Sequence, residues 1–188
     1  MSIYKEFPLN GSKPKLRAWR AIHPRKEKDI TYNIGVMLSI RLLGTPKITY
    51  DRHPVTITRR KSRAFLYYLA AHPTPLTREQ LQALFWPDLN RQAAQQNLRV
   101  TLHGLRKILG SLLIVDSDTL VLADQVKIDA HIFRARLSSS ISDLGLLKET
   151  LDLYHGDFIS GFTLPNLLDF DNWVMVERER DRRVAVKG

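Results

Sequence analysis

The sequence predicts an α+β fold: three short strands, then three helices and a β-hairpin, then a helical tail. Apolar runs of strand length, cut by turn-forming clusters, stand before residue 59 and again after residue 111. Between them, and once more beyond residue 138, apolar residues recur at helical spacing.

The first 36 residues are of another kind. Pro8, Gly11, Pro14 and Pro24 are mixed with Lys13, Lys15, Arg17, Arg20, Arg25, Lys26 and Lys28 without a sustained period, so a disordered basic extension is expected over residues 1–36. No apolar core of signal-peptide length follows the basic residues, and no stretch reaches membrane-spanning length, so a cytoplasmic protein with no membrane partner is expected. Met37 directly precedes the first strand, which makes residues 1–36 read as an upstream extension.

Three strands are expected at Leu38–Leu43, Lys47–Tyr50 and Val55–Thr58, separated by Gly44-Thr45-Pro46 and Asp51-Arg52-His53-Pro54. A helix from about Lys61 to His72 then buries Ala64, Phe65, Tyr68, Leu69 and Ala71, and Pro73 and Pro75 end it. From Arg78 to Gly110 the chain reads as two amphipathic helices joined by a Trp86-Pro87-Asp88 turn, with Asn90 placed to cap the second. Trp86 is expected to fill the gap between those helices. Leu112–Val115 and Thr119–Leu122 flank Asp116-Ser117-Asp118 as a hairpin does. Three strands, three helices and a hairpin in that order make a winged helix.

The third helix carries the chemistry. At about 100° per residue, Ala94, Leu98, Leu102, Leu105 and Leu109 fall in one arc, while Gln92, Gln96, Arg99, His103, Arg106 and Lys107 point the other way. Arg reaches guanine O6/N7 bidentately and Gln does the same at adenine N6/N7, so the outer face suits a DNA major groove. A solvated face of an ordinary helical hairpin has the same composition, and from this segment alone both readings stay open. Arg59, Arg60, Lys61 and Arg63 cluster where the first helix begins, a second place for phosphates or a solubilising cluster.

At these residues the chain resembles a known family. The stretch LFWPDL followed by NLRVTLHGLRKILG, with VKIDAHIF after the hairpin resembling the strand and first helix that close the domain, is similar to the OmpR-type winged-helix DNA-binding domain as carried by the SARP antibiotic regulatory proteins, and the resemblance covers residues 37–137. LDLYHGDFISGF and DNWVMVERERDRR look like the opening of a bacterial transcriptional activator domain, a tetratricopeptide-like all-helical module, over residues 138–188. The resemblance implies a transcriptional activator that binds double-stranded DNA through its third helix, as a homo-oligomer on repeated half-sites. It also implies that the turn at Asp88 and Leu89 faces RNA polymerase. The chain reads as the front of a longer regulator. One departure from the family is the hairpin tip, Asp116-Ser117-Asp118-Thr119, whose carboxylates repel phosphate, so little contribution to DNA binding is expected from it.

Charge fits that division. The net charge of +10 is distributed as +5 over residues 1–37, +8 over 38–137 and −3 over 138–188. A basic middle suits phosphate neutralisation and a mildly acidic end suits protein contact. Cysteine is absent, which excludes disulfides and thiolate metal sites. The six histidines are scattered without metal-ligand spacing, and no Gly-rich phosphate loop or hydrolase motif occurs, so no enzyme activity, cofactor or metal is expected. In Tyr154-His155-Gly156-Asp157, Gly156 is expected at positive φ and Asp157 as a local cap. In the tail, Leu144, Leu147, Leu151 and Tyr154 are expected on one apolar side of a helix, and Phe170, Trp173, Val174, Val176 and Val184 on that of the next. Such a pair needs cover, either by packing back with Trp173 near the helix around Phe133 or by self-association. The rival function is a non-enzymatic protein-interaction adaptor with incidental basic charge.

Overall fold

The computed structural model describes residues 38–139 and 143–187; the extension expected to be disordered lies outside the described residues. The first sheet begins with β1 (Leu38–Arg41) and β2 (Lys47–Tyr50), antiparallel with Ile40 opposite Ile48. The third expected strand, Val55–Thr58, is displaced. Pairing is made instead by β3 (His53–Pro54), because Asp51 and Arg52 both adopt positive φ (49° and 66°) and reverse the chain in two residues, setting His53 opposite Tyr50. Pro54 has no N–H to extend the ladder, and after the Val55 N–H donates to the Ile48 carbonyl (2.9 Å) the chain leaves the sheet.

The expected three-stranded sheet is in fact four-stranded. β7 (Lys127–Ile128) lies parallel to β1 on its free edge, giving the order β3-β2-β1-β7. The Asp129 carboxylate follows directly and accepts from the N–H groups of Leu42 (2.7 Å) and Leu43 (3.0 Å), closing the sheet's end.

Helix α1 (Arg60–Ala71) crosses behind, burying Ala64, Phe65, Leu66, Tyr67, Leu69, Ala70 and Ala71. A two-residue strand that periodicity alone did not reveal, β4 (Leu76–Thr77), precedes α2 (Arg78–Phe85). Thr77 and Gln80 form a reciprocal capping box that starts α2. Helix α3 (Arg91–Leu109) is capped as expected, Asn90 Oδ1 accepting from the Ala93 N–H (2.9 Å), and it stops at Gly110 with φ of 55°. Strands β5 (Leu113–Val115) and β6 (Thr119–Leu122) form the expected hairpin, and β4 adds to it in the order β4-β6-β5.

Helices α4 (Asp129–Leu137), α5 (Leu144–Leu151) and α6 (Leu168–Lys187) follow, and the described residues form one compact unit. The tail returns to the first sheet: the Ile159 N–H donates to the Leu42 carbonyl (2.6 Å) and the Gly44 N–H to the Asp157 carbonyl (3.0 Å). Phe158 and Phe170 are fully buried. The Trp173 ring lies 4.7 Å from Tyr68 and 5.8 Å from His72, so its cover is α1; Phe133 stacks instead on Tyr154 at 5.5 Å.

Two tail faces differ from expectation. On α5, Leu144 and Leu151 are exposed, and Thr150 turns inward because its hydroxyl donates to the Leu146 carbonyl (2.7 Å) and so needs no water. On α6, Val176 is exposed while Asp181 is fully buried, held by the Arg134 guanidinium at 2.5 and 2.8 Å with Glu177 at 2.6 Å from the same group. An ion-paired seam therefore stands where apolar contact was expected. Gly156 has the expected positive φ (136°), but Asp157 is not a local cap: its carboxylate accepts from the Arg182 guanidinium.

Candidate nucleic-acid interface

Helix α3 separates its two faces cleanly. Ala94, Leu98, Leu102, Leu105 and Leu109 are buried against the core, and Thr101 is buried beside them. Gln92, Gln96, Arg99, His103, Arg106 and Lys107 are all exposed on the outer side. Among the described residues none of these six side chains makes a hydrogen bond or ion pair, so every donor is free for an external acceptor. Arg106 and Lys107 also lie in the helix's last turn, where the backbone dipole favours cations.

Clefts flank α3 on both sides. One, of about 340 Å³, lies between the segment Thr56–Ser62 and the α3 flank, with Arg59, His103 and Lys107 in its lining and no carboxylate. The other, of about 490 Å³, runs between α2 and α3 beneath the hairpin tip; Arg78 and Arg91 line it together with Glu79 and Asp118.

The basic cluster at the start of α1 divides. Arg59 is exposed and lines the first cleft. Arg60, expected among the DNA-contacting residues, has an intramolecular role: its guanidinium donates to the Thr163 carbonyl (2.7 Å) and hydroxyl (3.0 Å) and lies over Phe162. Arg63 also lies over Phe162. Lys61 donates to the Phe85 carbonyl (3.0 Å) and sits over Trp86; burial lowers its pKa, against the opposing charge of Asp88. These three cations tie α1 to its neighbours.

Trp86 is buried, with its ring 6.4 Å from Phe65, as an anchor should be. The turn that follows leaves Asp88 and Leu89 exposed. Sequence reasoning missed Arg78, which donates to the Ser117 carbonyl (2.9 Å) and pins the hairpin tip over the second cleft. Its position at a helix start carried no sign of a partner 39 residues on. Arg91, exposed in the first turn of α3, lay within reach of the same face-counting and was not singled out. Thr58, Ser62 and Gly104 are drawn into the first cleft by the fold, without any motif.

Among the described residues no cluster of His, Asp and Glu is placed to hold a metal ion, and no helix is long and apolar enough to cross a membrane. No family model matches the sequence, and no curated protein matches it. The fold is similar to a solved structure, Mycobacterium tuberculosis EmbR in complex with a low-affinity phosphopeptide. The TM-score is 0.61 at 18% identity, over 80% of this chain and 43% of that one. The chain therefore spans less than half the length of the EmbR chain, and the likeness is one of fold.

Proposed function

We propose that this chain is a sequence-specific DNA-binding transcription regulator, an activator of the SARP type, whose winged helix lays α3 in the major groove of duplex DNA. The carrying observation is the α3 ridge: Gln92, Gln96, Arg99, His103, Arg106 and Lys107 are exposed on a helix whose opposite side is locked into the core. Phosphates flanking the groove meet Arg59 on one side and Arg91 on the other. The fold shared with EmbR and the motif resemblance support this reading. Asp88 and Leu89, exposed at the turn before α3, are the proposed contact to RNA polymerase, and repeated half-sites would bring further copies of the chain together on DNA.

A salt series tests it. Duplexes selected from a random-sequence library should be bound at least 10³-fold more tightly than bulk DNA, with affinity falling linearly in log salt. Weak, sequence-indifferent association at low salt alone would favour the adaptor reading.

A further inference from the structure

Five of the six described glycines have a reason within the protein. Gly44, Gly110, Gly156 and Gly161 adopt positive φ, and a side chain on Gly145 would press on the Asp143 carboxylate. Gly104 has neither reason. It sits inside α3 in helical conformation, and a methyl group placed on it would meet no atom within 4 Å beyond the adjoining helix backbone. Glycine there weakens a helix that alanine would strengthen, with no packing gain in return. The open space beside it is the carboxylate-free cleft, whose other polar lining includes Arg59, Thr58, Ser62, His103 and Lys107.

We infer that one sugar-phosphate strand of duplex DNA seats in this cleft, and that Gly104 lets it approach the α3 backbone closely enough for Arg59 and Lys107 to clamp it from both sides. The inference rests on the DNA-binding reading and adds to it a strand-seating site beside the base-reading ridge. Arg59 and Lys107 supply charge, and the Thr58 and Ser62 hydroxyls are placed to donate to phosphate oxygens. The mixed lining of the opposite cleft, with Glu79 and Asp118, is less suited to a polyanion. The two flanks of α3 are thus unequal, and the tightly held strand is the one on the Arg59 side.

Gly104→Ala separates this from a structural role, because the two effects have opposite signs. The variant should melt about 2–4 °C higher than wild type. It should bind a duplex selected by wild-type protein at least tenfold more weakly, with a salt slope shallower by about two, as expected when two phosphate contacts are lost. Arg59→Ala/Lys107→Ala should lose the same slope without the rise in melting temperature, and adding Gly104→Ala to that pair should weaken binding little further. If wild type binds DNA in a salt-sensitive way and Gly104→Ala binds equally well, the strand-seating inference is overturned while the parent reading stands. If wild type binds no duplex in that manner, both fall.

Discussion

Arg99 and Leu102 stand three residues apart on one helix and test opposite things. Arg99 is exposed, whereas Leu102 is packed in the core. Replacing Arg99 by Ala should weaken specific duplex binding by about 1–3 kcal/mol and leave the melting temperature unchanged, as gel-shift titration and thermal melts would show. Leu102→Ala should cost about 2–5 kcal/mol of folding stability, read from urea denaturation. At this scale the ridge of α3 was fully legible, because helical period alone assigns each residue to a side. Arg60 was not: its partner, Thr163, lies 103 residues away, and no local rule links them. Asp157 was misread for the same reason, since Arg182 reaches it from a later helix.

Elements meet through polar as well as apolar seams. The Arg134–Asp181 pair joins α4 to α6 where both groups are buried; burial opposes the Arg134 charge, but Asp181 and Glu177 outweigh it and raise its pKa. Asp181→Asn should destabilise the protein by about 3–5 kcal/mol, because it leaves the guanidinium short of its countercharge. Calorimetry of the variant would check this, and a cost under 1 kcal/mol would mean that the seam is solvated. Two histidines sit at the same junction: His131 donates from Nε2 to the Ala71 carbonyl (3.1 Å) and His72 from Nδ1 to the Tyr68 carbonyl (2.6 Å). Burial lowers both pKa values, so the unfolded chain takes up protons near pH 6.5 that the folded chain refuses. Stability should hold steady above about pH 7.5 and decline as pH falls through 6.5, and His131→Gln should shallow the decline. Melting temperatures between pH 8 and 5.5 would reveal it. The elements themselves were largely visible in the sequence, since β1, β2, the three helices of the middle and the hairpin follow from period and turn chemistry. β4 was not legible, and β7 was legible as a strand only through the resemblance of VKIDAHIF and not as a fourth member of the first sheet, each being two residues long and stabilised by partners distant in sequence.

At the scale of the whole molecule, the tail covers the body rather than standing apart. Phe170 packs on Phe85 (5.9 Å) and Trp173 on Tyr68, so the acidic last segment shields an apolar side of α1 and α2. A version ending at Leu137 should uncover those rings, melt lower, and bind a hydrophobic dye that the longer chain excludes. Equal melting temperatures for both would show that the cover is incidental. The need for such cover was readable from tail composition, and α6 does pack against the helix of Phe133, but through the Arg134 ion pairs; its Trp173 ring lies on Tyr68 of α1, and the ion-paired side of α6 breaks the apolar stripe from which that orientation would be inferred.

The parallel pairing of β1 with β7 has a consequence for the order in which this protein is made. Ser39 and Ile40 find their edge partners only at Lys127 and Ile128, and the Leu42 and Leu43 amides wait for the carboxylate of Asp129. Until the ribosome has released that stretch, the first strand has an open edge while α1, α2 and α3 already lie outside the exit tunnel. Pairings so distant along the chain form late and slowly. The helix that carries the basic ridge is therefore synthesised before the first sheet can close, and the nascent polypeptide passes through a stage in which its cationic surface is present on an unfinished scaffold.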